Sequence, residues 1–214
     1  MNGATAQAQV YKGYAQVAKR IGNAFTLYRP TSADMTVAQI VATNFLASLN
    51  AEDMTYRRPN KYGKPTWFAV MDGRVTQVGD YLIGATGKFF VAAQQPLLPI
   101  LVVECNRTIN ITRPQVQTQF GAVTDYEGTT AANETPLMTG WPASVLQGTK
   151  GEKGGVALPG DVRDAWWAIL LPFVPGVVLR SGDLIADELG RRYIISSAEL
   201  SDLGWRLTAQ QGQT

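Results

Sequence analysis

Hydrophobic positions change period along this chain, and each change predicts a different element. Over residues 5–21, Val10, Tyr14, Val17 and Ile21 recur at spacings of four, three and four, with Tyr11 and Ala18 beside the stripe. That spacing predicts an amphipathic helix. Lys19 and Arg20 suit its last turn, and Gly22-Asn23 its stop. The stripe either packs on the helix's own domain or docks on a neighbouring subunit. From Ala24 the period falls to two, with Phe25 and Leu27 alternating against polar neighbours until Tyr28-Arg29-Pro30, which predicts a strand. Residues 36–49 fit both templates; residues 37–41 favour strand, and 45–49 stay open.

The strand pattern then occurs twice. Trp67-Phe68-Ala69-Val70-Met71 returns as Trp166-Trp167-Ala168-Ile169-Leu170, a shift of 99 residues. Gly79-Asp80-Tyr81-Leu82, with Gly87 and Phe90-Val91 behind it, returns as Gly182-Asp183-Leu184-Ile185 with Gly190 and Tyr193-Ile194, a shift of 103. The difference of four predicts a four-residue insertion between the landmarks, and the repeated order predicts a tandem duplication of one small β module. The apolar run at 67–71 predicts a strand covered on both faces, one by its own barrel and the other by the sister module or another subunit. Gly79, Gly87, Gly182 and Gly190 mark tight turns where positive φ is cheap. Asp80 and Asp183 read as a symmetric carboxylate pair or as turn residues bonding local backbone N–H groups, and an Asp after Gly at a strand entry favours the second.

The expected fold class is mainly β: two tandem small barrels or sandwiches, an N-terminal amphipathic helix and long inter-module loops. The expected boundaries are a helix over 1–23, a first module over 24–114, a linker loop over 115–132 and a second module over 133–214 with an inserted Gly/Lys loop at 147–158. Residues 101–111 are read as closing the first module. The start near Asn133 rests on an echo between Met138-Thr139-Gly140-Trp141-Pro142-Ala143-Ser144 and Leu27-Tyr28-Arg29-Pro30-Thr31-Ser32.

Composition narrows the chemistry. Of 214 residues, 45% are apolar and 17% charged, below the usual charged fraction of roughly 25%. The net charge is +2 with basic residues scattered, which argues against a dedicated nucleic-acid binder. No His is present, so the commonest general base and metal ligand is missing. The single Cys, Cys105, lies in an apolar run and reads as a buried small hydrophobe. No signal-peptide pattern or membrane-length apolar run occurs, so membrane insertion is not expected.

Arg57-Arg58-Pro59-Asn60-Lys61-Tyr62-Gly63-Lys64-Pro65 is a basic turn cluster that reads as a solvated loop. The Gly/Lys run with Lys150 and Lys153 lacks a Gly-Lys-Ser/Thr ending and is no phosphate cradle. Glu188, Glu199 and Asp202 form a carboxylate pair only if folding gathers them. No catalytic, cofactor-binding or metal-binding residue is assigned. Trp67, Trp166, Trp167 and Trp205 fall in predicted strands as core; Trp141, read as a loop residue, is the one candidate for an exposed aromatic.

Several phrases carry a resemblance. Gln95-Pro96-Leu97-Leu98-Pro99-Ile100, Met138-Thr139-Gly140-Trp141-Pro142-Ala143-Ser144-Val145-Leu146, Pro159-Gly160-Asp161-Val162-Arg163, Gly182-Asp183-Leu184-Ile185 through Gly190-Arg191-Arg192-Tyr193, and Trp205-Arg206-Leu207-Thr208-Ala209 resemble virion proteins of tailed bacteriophages and prophages over nearly the whole chain. The Gly-Asp, Gly, Tyr-Ile, Leu-Thr-Ala order is similar to the small β-barrel head-to-tail joining proteins, which are single modules where this chain has two. The resemblance implies a structural, non-enzymatic subunit without cofactors, assembled in the bacterial host cytoplasm into virions. It implies a homo-oligomeric ring, six-fold favoured over twelve-fold, beside the portal and other tail proteins, with transient non-specific DNA passage. Two similar modules would offer two similar binding faces. The interface candidates are Val10, Tyr14, Val17, Ile21, Trp141, Lys150 and Lys153, with the 115–132 and 147–158 loops. The rival reading is a paired-barrel module for a cell-wall glycan or peptide, favoured if Trp141, Tyr126 and Tyr62 share one exposed face.

Overall fold

The computed structural model of the chain describes residues 2–51, 63–115, 133–148 and 166–212. It is mainly β, with two six-stranded closed barrels in tandem behind one N-terminal helix. The helix α1 (Gly3–Ile21) starts where the side chain of Asn2 accepts the Thr5 N–H at 2.9 Å, and it lies against the second and third strands. Its buried face is not the expected stripe. Tyr11 and Ala18 are buried, Val10 and Tyr14 are half-buried, and Val17 and Ile21 are exposed. Small residues bring the helix close to the sheet, which decides the rotation. A Cβ on Gly22 would lie 2.5 Å from the Ala18 carbonyl oxygen and 3.1 Å from the Ala47 backbone, so this glycine serves close approach, with an ordinary φ of −83°.

The first barrel comprises β1 (Asn23–Arg29), β2 (Gln39–Ala51), β3 (Thr66–Met71), β4 (Tyr81–Gly84), β5 (Gly87–Ala93) and β6 (Ile100–Cys105), closed in the order β1-β2-β3-β6-β5-β4. The second comprises β7 (Arg107–Pro114), β8 (Glu134–Gln147), β9 (Trp166–Leu171), β10 (Leu184–Asp187), β11 (Arg192–Ser201) and β12 (Gly204–Gln211), closed as β7-β8-β9-β12-β11-β10. The order is the same strand for strand, and closure leaves neither sheet with a free edge. Alternate side chains fill each barrel: Phe25, Leu27, Met71, Leu82 and Phe89 in the first, Ile109, Ile111, Leu171, Ile185 and Tyr193 in the second.

Several boundaries move. Residues 101–111 do not close the first module: β6 ends at Cys105, Asn106 alone intervenes, and β7 opens the second barrel. The second barrel therefore begins near residue 107 rather than 133, and the 115–132 stretch belongs to its first hairpin connection instead of linking domains. Asn106 makes the junction rigid. Its backbone N–H donates to the Ala143 carbonyl at 3.0 Å, and its side chain bonds both the N–H and the C=O of Val145, at 2.8 and 2.9 Å.

The repeat register also shifts by one. Trp67 pairs with Ala51 and Val102, while Trp167 pairs with Gln147 and Ala209, so Trp167 is the equivalent of Trp67 and Trp166 takes the place of Thr66. Two adjacent tryptophans hide this slip in the sequence. Barrel filling resolves it, because Ala69 and Met71 must match buried Ile169 and Leu171, and a one-residue slip would turn both outward. The shift becomes 100, and the next loop carries three extra residues rather than four. The β4–β5 hairpin pairs Gly84 with Gly87, whereas the β10–β11 turn is one residue longer; Phe89 therefore matches Tyr193, and Phe90 matches Ile194.

Of the ambiguous residues 36–49, those from Gln39 on belong to one long strand with a bulge, whereas Val37, expected in a strand, ends a short 3-10 turn (Met35–Val37) that the Asp34 side chain caps by accepting the Thr36 N–H. Leu27 pairs with Ala42 and Phe25 with Phe45; Ile111 likewise pairs with Met138 and Ile109 with Trp141. The extra residue of each bulge has left-handed backbone, Asn44 at φ 54° and Gly140 at φ 68°. The true echo of residues 139–145 is thus Thr43-Asn44-Phe45-Leu46-Ala47-Ser48-Leu49 in β2, not residues 27–32 in β1.

Gly87 and Gly190 both hold positive φ, 141° and 76°. Gly87→Val and Gly190→Val should each destabilise the fold by about 1–3 kcal/mol in urea unfolding. Gly87→Val should be the worse, because its Cβ would also meet the Phe89 ring at 3.1 Å, whereas Gly190 has open space.

Candidate functional site

Two constellations organise the described residues, and the first appears in both barrels. Arg29, at the end of β1, donates from Nε and Nη2 to the two carboxylate oxygens of Asp80 at 2.8 and 2.7 Å, and Nη2 also reaches the Val75 carbonyl at 3.1 Å. Arg113, at the end of β7, grips Asp183 at 2.7 and 2.9 Å and the Val178 carbonyl at 2.8 Å. Each carboxylate accepts one backbone N–H besides, Gln77 at 2.9 Å and Arg180 at 2.8 Å. The aspartates are 0% and 2% exposed at the side chain, the arginines 28% and 31%. In each forked, charge-assisted pair the hydrogen bonds that Arg29 and Arg113 donate to Asp80 and Asp183 raise the guanidinium pKa above its ordinary value. Gly79 and Gly182, at φ 91° and 90°, set the turn that delivers the aspartate. Asp80 and Asp183 thus serve one turn in each barrel and do not face each other as a catalytic pair.

The second constellation is the seam between the barrels. The outer face of the first barrel carries Tyr81, Phe90, Val103 and Cys105, and these share a buried cluster with Met138, Trp141 and Ala143 of the second. Tyr81 Oη donates to the Pro142 carbonyl at 2.8 Å, and its ring lies edge-on to Trp141 at 5.9 Å. The segment after β1 crosses to the other barrel: Trp141 Nε1 and the Thr139 N–H both donate to the Ala33 carbonyl, at 2.7 and 3.0 Å, and Asp34 bridges Thr139. Met35 packs beneath. Burial pushes the Tyr81 phenol pKa well above 10.0 and raises that of the Cys105 thiol, which leaves Cys105 inert at neutral pH.

Trp141, expected in an exposed loop, is fully buried in β8 because the bulge at Gly140 turns it into the seam. It offers no sugar platform and no surface to another subunit. Val17 and Ile21 stay exposed on α1, with Val10 and Tyr14 half-covered. Lys150, Lys153, Tyr62 and Tyr126 lie outside the described residues, as do most of the 115–132 and 147–158 loops. Glu188 bonds the Thr108 N–H before β11 begins, while Glu199 and Asp202 sit at its far end, so the three carboxylates are not gathered. No group of three potential metal ligands occurs among the described residues, and no described helix is long and apolar enough to cross a membrane.

The expectation of two similar binding faces fails at the surface. The positions of Tyr81, Phe90, Val103 and Cys105 are held in the second barrel by Leu184, Ile194, Gln210 and Gly212. The shared inner framework survives, while the outer face that makes the seam becomes partly polar. A signal for the clamps was present and missed: Arg29-Pro30 and Arg113-Pro114 are the same dipeptide 84 residues apart. Compared with known proteins, the chain matches no family model, no curated protein and no solved structure.

Arg29→Met and Arg113→Met should each cost about 3 kcal/mol or more in equilibrium unfolding, since each strands a buried carboxylate, and Lys should restore only part because it cannot fork. Tyr81→Phe should cost about 0.5–1.5 kcal/mol at neutral pH through the lost bond to Pro142. The Tyr81 pKa is raised in the folded state, so its neutral form contributes stability in full below the unfolded value of 10.0 and loses it as pH rises beyond. Thermal melts across pH 9–11 should therefore fall less steeply for Tyr81→Phe than for the parent.

Proposed function

We propose that this chain is a non-enzymatic subunit of a homo-oligomeric ring in the tail or head-to-tail connector of a tailed-phage virion, forming part of the DNA exit path. The observation that carries the reading is where the apolar surface lies. Two closed barrels are locked together by an internal seam, yet large apolar side chains stay exposed on α1, on the loop after β9 and on the β11–β12 hairpin, among them Ile21, Phe173, Leu200 and Leu203. Where such residues gather in one place, as Phe173, Leu200 and Leu203 do around the β9 and β11–β12 ends, they form a patch that a partner can cover. The Gly-Asp turns and the phrases around residues 138–146 and 205–209 support the phage assignment by their resemblance to virion proteins. The modest charge, +2, suits a wall past which DNA moves without being held.

The loops fit the same role. Gln115 N–H donates to the Asn133 carbonyl, and Gly148 N–H to the Trp166 carbonyl, both at 2.9 Å, so each connection leaves and re-enters the barrel at one point. Shortening either need not disturb a strand. The glycan-binding reading has lost its support, because Trp141 is buried.

Electron microscopy of the purified protein should reveal rings with an axial channel, and the protein should co-purify with virions. Deleting residues 149–158 should leave circular dichroism unchanged while lowering ring yield or infectivity. A protein that is absent from particles, or a deletion that still gives infectious particles at normal yield, would count against the reading.

A further inference from the structure

The two barrels treat one end differently. In the first, α1 lies over it: the Tyr11 ring covers Gly73, where an added Cβ would stand 2.6 Å away, and the Gln7 side chain accepts the Leu97 N–H of the β5–β6 loop. Phe173 stands two residues past β9 as Gly73 stands two residues past β3, and the β11–β12 hairpin is the equivalent of that loop. Since Asn106 passes straight from β6 into β7, no helix leads into the second barrel as α1 leads into the first. Among the described residues, what remains is an open apolar end. Phe173, Leu200 and Leu203 are about half exposed, at 49%, 49% and 45%. They belong together: Leu200 pairs with Trp205, Trp205 with Leu171, and a Cβ on Gly204 would lie 3.1 Å from Pro172.

An uncovered surface of matching character exists elsewhere on the chain. With Tyr11 and Ala18 turned to the first barrel, the neighbouring flank of α1 presents Val17 and Ile21, 44% and 57% exposed, edged by Arg20. The helix carries Lys12, Lys19 and Arg20 and no acidic residue. The hairpin end carries exposed Glu199 and Asp202 beside its leucines; Arg206 stands opposite Glu199 in the ladder, so Asp202 is the charge that faces a partner. The charges are complementary, and the two surfaces sit on different elements, so one copy can offer its helix while its own hairpin stays open.

We infer that the Val17/Ile21 flank of α1 in one copy docks on the Phe173/Leu200/Leu203 end of the second barrel in the next. The inference rests on the ring reading above and names the contact that builds the ring. A helix against a hairpin is a heterologous, head-to-tail contact, and such contacts make rings when the rotation closes. The helix is then sandwiched, with Tyr11 and Ala18 on its own barrel and Val17 and Ile21 on its neighbour's.

The test is sedimentation velocity of the full chain over a range of concentrations, with circular dichroism on every variant. Val17→Asp/Ile21→Asp and Leu203→Asp should each weaken self-association by at least about tenfold. Arg20→Glu and Asp202→Arg, both at exposed positions, should each weaken it, and the double variant should regain most of the loss through the reversed pair. If the parent associates but the apolar and charge variants associate equally well, this contact is wrong while the ring reading stands. If the parent stays monomeric at every concentration, both are overturned.

Discussion

A carboxylate taken fully out of water is the constraint on which both barrels turn. Asp80 and Asp183 are buried at the entry to β4 and β10, where an uncompensated charge would cost several kcal/mol. Each is therefore committed to the arginine that ends β1 or β7, and that commitment ties the first strand to the fourth, its neighbour in the closing ladder. In so narrow a barrel the closing pair has few residues, four in the first, so a charged fork across it fixes register where ladder bonds alone are few. The guanidinium also satisfies a carbonyl of the intervening loop, which anchors Val75 and Val178 in turn.

The seam depends on that rigidity. Tyr81 directly follows the clamped Asp80, so its ring is aimed by the same turn, and it reaches Trp141, which the bulge at Gly140 turns towards it. The bulge recurs at Asn44, and there the aromatic Phe45 stays in its own barrel. One inherited backbone feature thus has two uses. Duplication supplied the bulge twice, and the larger Trp with its N–H made one of them half of an interface through Ala33.

How much of this was legible follows from how the repeat drifted. The helix, the Gly-Asp turns and the alternating strands could be read because each is a local pattern whose physics acts within about ten residues. The equivalence of β1 with β7 and of β2 with β8 could not be read at a shift of 99 or 103, because the true shifts there are 84 and 96. Loop length accounts for the discrepancy: each connection from β7 to β11 is longer than its counterpart in the first barrel and adds to the offset of every strand behind it. The adjacent Trp166 and Trp167 then offered two registers of similar local appeal, which only the demand for Ile169 and Leu171 inside the barrel separates. The burial of Trp141 and the rotation of α1 were out of reach for another reason. Both are set by partners distant in sequence, Ala33 and Tyr81 for the one, Ala47 and Gly73 for the other.

The divergence of the two copies has a direction. Inward positions stay apolar, Leu27 to Ile111, Met71 to Leu171, Phe89 to Tyr193, and where their size changes the senses are opposite, Ala69 growing to Ile169 while Phe25 and Val102 shrink to Ile109 and Ala209, because a filled barrel tolerates little change in total volume. Positions that face outward do not: Phe90 becomes exposed Ile194, Val103 becomes Gln210, and Cys105 becomes Gly212. Had the seam face been kept apolar on the second barrel, every copy would carry an unpaired duplicate of it, able to bind further barrels without limit. Replacing Tyr81, Val103 and Cys105 by Leu184, Gln210 and Gly212 removes the groups that build the seam from that face and closes the barrel pair within one chain. Of the large apolar side chains left exposed, Val17 and Ile21 on the helix and Phe173, Leu200 and Leu203 at the barrel end are those that the proposed contact between copies would cover, in one geometry instead of two.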